Sequence, residues 1–339
     1  MRISYGPWGE TLAELIDAGR RAERAGAEAL WVPELHRSAT VVAAALAQNT
    51  TSARIGTGIA LAFTRSPMVQ ALEALDLDEL SGGRFLLGLG SGVQRLNEDW
   101  HNARFGKAVP HLRESVRNIR TFWRDAPAGT AMDLDGEYEP MRIRGYQRPF
   151  HQQRASIPIY LAAMGPAMTR LAGEIADGWI SHELYSPSYL VDTTLPELER
   201  GLERGGRTRA DLDVIASAIC AIDDDAHTAK RWASGTVGFY GSVRTYADFW
   251  AYHGLAAEQQ HIVEAFRGGL AADDLGTAAP DHMVAAVTLS GTADEVRERL
   301  SAYEGHADSV KLSPPTHGVD AAVTRLCQER IIELIATLG

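Results

Sequence analysis

An α/β fold in which eight parallel strands alternate with helices, a (β/α)8 TIM barrel with insertion segments, is what this sequence predicts. Short, near-continuous apolar runs recur along the chain, as expected of strands buried on both faces and therefore of a parallel sheet. Amphipathic stretches with apolar residues at helical spacing lie between them. The strand–helix units number eight, the count that closes a barrel. A doubly wound open sheet is the runner-up, but no GxGxxG follows the first strand.

The elements fall in order. RISYG (2–6) reads as the first strand, and residues 10–24 as a helix carrying Leu12, Leu15, Ile16 and Ala22, ended by Gly26. AEALWVPEL (27–35) is the second strand and 40–48 an Ala-rich helix; RIGTGIALAF (54–63) is the third strand, with glycines inside it. Pro67 opens the next helix, where a missing N–H costs nothing. FLLGLG (85–90) is the fourth strand, followed by a helix over 108–124 with Leu112, Val116, Ile119 and Trp123 on one face. Residues 126–155 read as an insertion holding a β-hairpin turned around Asp135-Gly136. IPIYLAAM (157–164), GWIS (178–181) and LDVIASAICAI (212–222) are strands five to seven, and 226–283 is a second, helical insertion. Thr292 to Glu295 has capping-box form. SVKLSPP (309–315) is the eighth strand, and 319–338 closes with a helix. Barrels of this length fold as one domain, so a single domain over 1–339 is expected.

Hydrophobic residues make up 45% of the chain and charged residues 23%, an ordinary globular balance, and the formal net charge is −11. That sign disfavours nucleic acid and anionic membranes as partners and leaves a small-molecule substrate. Cys220 and Cys327, the two cysteines, lack metal-ligand spacing, so neither a disulfide framework nor a metal site is expected. The N-terminus has no signal-peptide pattern and no apolar run reaches membrane-spanning length, which makes the cytoplasm the expected location.

Four segments, AERAGAEALWVPELH, IGTGIALAFTRSP, DELSGGRFLLGLGSG and IPIYLAAMGPAMTRLAGEIADGW, together resemble the luciferase-like flavin and deazaflavin oxidoreductases, over most of the chain and in the right order. WHNARF (100–105) further resembles an actinobacterial branch of F420-dependent oxidoreductases, in the group that includes methylenetetrahydromethanopterin reductase. The resemblance implies coenzyme F420 as cofactor, with FMN and a monooxygenase reaction as the alternative, and a homodimer. A relative that binds flavin without catalysis is the third reading.

In a barrel the active site sits at the C-terminal ends of the strands, and each motif lands there. Gly56 and Gly58 interrupt an apolar strand, which marks either tight packing or the close approach of another group. The resemblance implies a non-prolyl cis peptide at Gly58-Ile59, backing the cofactor ring. Ala163, Met164 and Gly165 end a strand just before Pro166 starts a helix, a place where free N–H groups and the helix dipole suit a phosphate. The resemblance puts the cofactor phosphodiester there. Ser91 and Gly92 follow the fourth strand and keep the backbone bare; Asn97 lies just beyond as a partner for ring or substrate. Val93 stands where similar glucose-6-phosphate dehydrogenases carry a carboxylate, which argues against oxidation of a sugar phosphate with that acid. Relatives follow an acid directly with a catalytic histidine; here Leu35 comes between Glu34 and His36, so that role does not pass to residue 35. Read as extended strand, 34 and 36 share a face, either as a proton-sharing pair or as a structural one. His101 is the other candidate acid. Trp8, Phe63 and Arg65 are candidate walls and an anion partner of the substrate pocket, or ordinary packing and a solvated charge.

Overall fold

The computed structural model describes residues 1–338. The chain begins with β1 (Arg2–Tyr5), α1 (Leu12–Ala25), β2 (Ala29–Val32), α2 (Ala39–Asn49), β3 (Arg54–Thr57), the two-residue β4 (Ala60–Leu61), α3 (Pro67–Leu80), β5 (Phe85–Gly90) and α4 (Ala108–Asp125). A hairpin of β6 (Met132–Leu134) and β7 (Met141–Ile143) precedes β8 (Ile159–Ala162), α5 (Pro166–Ile175), β9 (Gly178–Ile180), the one-turn α6 (Pro187–Tyr189), α7 (Leu195–Arg204) and β10 (Asp213–Ile222). Then come α8 (Ala226–Gly241), α9 (Ala247–Tyr252), α10 (Ala256–Arg267), α11 (Asp281–Val287), β11 (Leu289–Gly291), α12 (Ala293–Ser301), β12 (Ser309–Ser313) and α13 (Ala321–Leu338). The fold is a (β/α)8 TIM barrel. Among the described residues β1, β2, β3, β5, β8, β9, β10 and β12 are its eight strands; β4 resumes β3 after a break, and β11 is an addition beside β10.

The chain divides into two compact units. One comprises 1–28, 181–195 and 214 onward; the other comprises 29–180 and 196–213. In the second unit β2, β3, β5, β8 and β9 lie side by side and parallel, with Trp31 opposite Gly56, Gly56 opposite Leu86, and Leu161 opposite Trp179. In the first unit the parallel order is β11, β10, β12, β1, with Ile219 opposite Ser313 and Tyr5 opposite Leu312. Strand residues such as Leu30, Trp31, Ile55, Leu89, Ile159, Val214, Ala216 and Val310 are fully or almost fully buried.

Local chemistry explains most boundaries. Thr11 caps α1 by accepting the Glu14 N–H, and Gly26 ends it at φ 105, a left-handed value that suits glycine. Ser66 caps α3 and Pro67 fills its first turn. Thr292 and Glu295 form the capping box of α12 reciprocally, as their spacing predicts. Three boundaries differ from expectation. The second strand stops at Val32, because Pro33 has no N–H for a sheet ladder, and residues 34–37 are bends. The hairpin is not a two-residue turn at Asp135-Gly136: Leu134 pairs with Met141, leaving a six-residue loop. That loop is held open by Glu114 on α4, whose carboxylate accepts the backbone N–H groups of Glu137, Tyr138 and Glu139. The second insertion is helical, but its first sixteen residues are α8, the helix that follows β10.

Gly56 shows why the third strand carries glycine. A Cβ built there would lie 2.3 Å from Cζ3 of the buried Trp31 indole. Gly56→Ala is therefore expected to destabilise the protein by about 1–3 kcal/mol through overpacking, read as a lower urea midpoint with an unchanged slope. A midpoint equal to the parent's would show that the indole can shift at no cost.

Candidate functional site

In the second unit the chain leaves β3 through a cis peptide bond between Gly58 and Ile59. The carbonyl of Ile59 accepts the N–H of Glu34 at 3.0 Å, which ties this break to the end of β2. The glycines serve packing as well, since a Cβ on Gly58 would lie 3.1 Å from Cβ of Trp31.

Glu34 and Arg65, predicted separately, are brought together as an ion pair. Arg65 Nη1 donates to Glu34 Oε2 at 2.8 Å, Nη2 donates to Oε1, and the Leu61 N–H donates to Oε2 at 2.9 Å. Burial pushes the Glu34 carboxyl up, but Arg65 and the Leu61 N–H outweigh it and hold the acid below its ordinary range. Glu34 is thus an ionised anchor for the 58–65 segment, and the charge of Arg65 is already matched. Glu73, 3.5 Å from Arg65 Nε, is pushed the other way by its burial. His36 is exposed in the bends that follow, where the alternation of an extended strand no longer applies.

After β5 the chain turns at Gly92, φ 60. Asn97, fully buried, donates from Nδ2 to the carbonyls of Ser91 (2.8 Å) and Val93 (3.0 Å), so its amide fixes the shape of the Ser91–Val93 loop. It sits in a π-helical turn, Leu96–Trp100, a form that recurs at functional sites. His101 follows that turn and is exposed. Phe63 is buried with one ring face covered by His111, the two rings 3.7 Å apart and parallel to within 3°.

At the end of β8 the Trp179 indole N–H donates to the carbonyl of Ala163, fixing the strand end. Gly165 follows at φ 77 with open space where a side chain would stand, and α5 begins at Pro166 with no side-chain cap on its first turn. Ala163, Met164 and Gly165 therefore form a bare backbone corner at the positive end of a ten-residue helix.

In the first unit Trp8 follows β1, its backbone N–H donating to Gln328 Oε1 and its ring 5.9 Å from the Arg325 guanidinium. A cluster that sequence reading missed lies beyond β9 and on β12. Lys311 Nζ donates to Glu183 Oε1 at 3.2 Å, and His182 sits beside them, edge-on to Tyr240. The signals were there: an acid–histidine pair right after a strand, and a lysine inside the apolar run SVKLSPP, where a charge needs a partner. Burial lowers the His182 pKa to about 4, against a smaller opposing effect of Glu183, so the ring is neutral at pH 7. Between the ordinary 6.5 and about 4, the unfolded chain takes a proton that the folded protein does not. Stability due to this site is complete above that window and falls as pH drops through it. His182→Gln is expected to flatten the decline in thermal midpoint across the window; an unchanged decline would assign it to other groups.

The family model described as luciferase-like monooxygenase matches residues 2–308. The chain belongs to this family. It is 32% identical over 321 residues to a putative coenzyme F420-dependent oxidoreductase of Mycobacterium tuberculosis, covering 89% of this chain and 91% of that one. It is 30% identical over 297 residues to the 5,10-methylenetetrahydromethanopterin reductase of Methanolobus tindarius, covering 86% and 87%. Among solved structures, the coenzyme F420-dependent tetrahydromethanopterin reductase of Methanopyrus kandleri superposes with a TM-score of 0.79 at 24% identity, covering 99% of this chain and 98% of that one, and shares the fold. Among the described residues, no helix is long and apolar enough to cross a membrane.

Proposed function

We propose that this protein is a coenzyme F420-dependent oxidoreductase that reduces a C=C or C=N bond of a small organic substrate. The observation that carries the reading is the bare corner at Ala163–Gly165. Its uncapped helix start and positive-φ glycine fit a phosphate-bearing cofactor, and a relative 32% identical to this chain bears the name of a putative coenzyme F420-dependent oxidoreductase. When bound, the deazaflavin supplies the hydride. The chain's own residues bind, orient and exclude water. The N–H groups of the 163–165 corner hold the phosphate, the Gly58-Ile59 segment anchored by Glu34 offers a fixed backing, and Asn97 holds the Ser91–Val93 loop in shape. A homodimer is part of the proposal; light scattering that shows a monomer at working concentration would remove it.

The test is a titration of the protein with coenzyme F420 and with FMN, followed by absorbance, and then anaerobic mixing with reduced deazaflavin and a panel of enones and imines. F420 binding with acceptor-dependent reoxidation is the expected result. Oxygen consumption with reduced FMN, alongside no binding of the deazaflavin, would hand the case to the monooxygenase alternative.

Gly165→Val should weaken cofactor binding about 10- to 100-fold. The space around residue 165 is open, so the cost is conformational: φ 77 is strained for a β-branched side chain, and relaxing it moves the N–H groups off the anion. Parent-like binding in a folded variant would place the phosphate elsewhere.

A further inference from the structure

We propose that Glu183 and Tyr246 form a recognition site for a planar, uncharged cyclic amide, which gives its N–H to Glu183 and its carbonyl oxygen to the Tyr246 hydroxyl. The site stands on one compact unit and does not rest on the cofactor reading.

The donor and acceptor pattern follows from the hydrogen bonds present. Lys311 engages Glu183 Oε1 at 3.2 Å, the one side-chain hydrogen bond of Glu183 among the described residues. The Glu183 side chain keeps 30% of its surface accessible, whereas that of Lys311 keeps 4%. The carboxylate thus presents one open oxygen, backed by a buried ammonium. Burial pushes Glu183 up, but the Lys311 ammonium beside it outweighs this and holds the carboxyl below its ordinary range, so the acceptor is ionised.

The donor is fixed in the same way. His182 Nδ1 accepts the Leu184 N–H at 3.1 Å, which leaves the ring proton on Nε2. Nε2 lies 3.2 Å from the Tyr246 hydroxyl, so the ring donates to that oxygen and the phenol's own hydrogen points to another acceptor. Among the described residues, Glu183 Oε2 and the Tyr246 O–H are therefore an acceptor and a donor without partners for those roles.

Shape and charge narrow the class. The Tyr240 and Tyr246 rings lie 4.3 Å and 4.9 Å from the ring of His182, the residue before Glu183, so the segment that carries the carboxylate has aromatic surroundings. Lys311 cancels the charge of Glu183: a cation would feel the ammonium behind the carboxylate, and an anion would meet the carboxylate itself. A neutral planar group with adjacent N–H and C=O avoids both costs.

The experiment measures binding of three probes, 2-pyridone, benzylamine and benzoate, to the full chain without cofactor, by ligand-observed NMR titration. The parent is expected to bind 2-pyridone at least fivefold more tightly than the other two. Glu183→Ala should weaken 2-pyridone at least tenfold and strengthen benzoate, because Lys311 loses its partner. Glu183→Gln, which keeps a weaker acceptor, should fall between. Tyr246→Phe should weaken 2-pyridone severalfold with no gain for benzoate, and it carries the test should the Glu183 variants fail to fold. A parent that binds no probe, or binds benzylamine or benzoate as tightly as 2-pyridone, overturns the proposal. So does 2-pyridone binding that is unchanged in the folded variants.

Discussion

Glu34→Ala is expected to lower stability by about 3 kcal/mol, since removing one partner of a buried pair leaves the other charge uncompensated. The side chains of Glu34 and Arg65 are 9% and 21% exposed, so neither charge is fully solvated. The variant strands the Arg65 guanidinium and takes the acceptor from the Leu61 N–H. Glu73, 3.5 Å from Arg65, recovers part of the loss, which sets the expectation at the low end of the range for such pairs. Because the Glu34 carboxyl titrates below its ordinary 4.5 when folded, its contribution is complete above that value. It is lost as pH falls through the folded value. Urea unfolding at pH 7 measures the effect. Adding Arg65→Leu to Glu34→Ala should restore part of the loss, since contacting residues couple. A single-variant loss below about 1 kcal/mol would mean that water already screens the pair.

The fold was legible because a parallel barrel writes itself as buried apolar runs at regular intervals. All eight strands stand where those runs predict them. The capping box at Thr292 and the proline at the start of α3 were readable because each acts within one turn of helix. What failed was non-local. Nothing near Asp135 reveals that Glu114, on a preceding helix, holds the hairpin loop open with three accepted N–H groups. The end of β2 was overrun because its apolar run continues to Leu35, although Pro33 cannot donate to the ladder.

The site divides the same way. The Gly58-Ile59 cis peptide is what the family resemblance implies, and the corner at Gly165 is readable from a strand that runs straight into Pro166. The partnership of Glu34 with Arg65 spans a strand and a turn, and only the structure joins them. Lys311 and Glu183 are 128 residues apart, so no local pattern pairs them. A lysine within a buried strand still announces that some acid must face it.

The proposed hydride addition to a double bond is completed by a proton, and we propose His101 as its donor. Glu34 is held ionised by Arg65 and by the N–H it accepts from Leu61, so it has no proton to give at neutral pH. His36 and His101 are both exposed, but His36 stands in a run of bends past the anchored end of β2. His101 follows directly on the Asn97 turn: Asn97 grips the Ser91–Val93 loop through its side chain, and its backbone carbonyl accepts the Ala103 N–H at 2.9 Å. The backbone on both sides of His101 is therefore fixed to the loop that ends β5, where a barrel places its chemistry. His101→Ala is thus expected to lower turnover with reduced F420 and an enone or imine by roughly 10²–10⁴-fold, the usual contribution of a positioned general acid. Cofactor affinity should stay within about twofold, because the proposed phosphate site at 163–165 and the Gly58-Ile59 segment do not involve the imidazole. His36→Ala should leave both quantities near the parent's. A fall in turnover for His36→Ala, with His101→Ala unaffected, would move the acid to the end of β2. A His101→Ala variant that loses cofactor binding and turnover together would show that the residue shapes the loop and donates no proton.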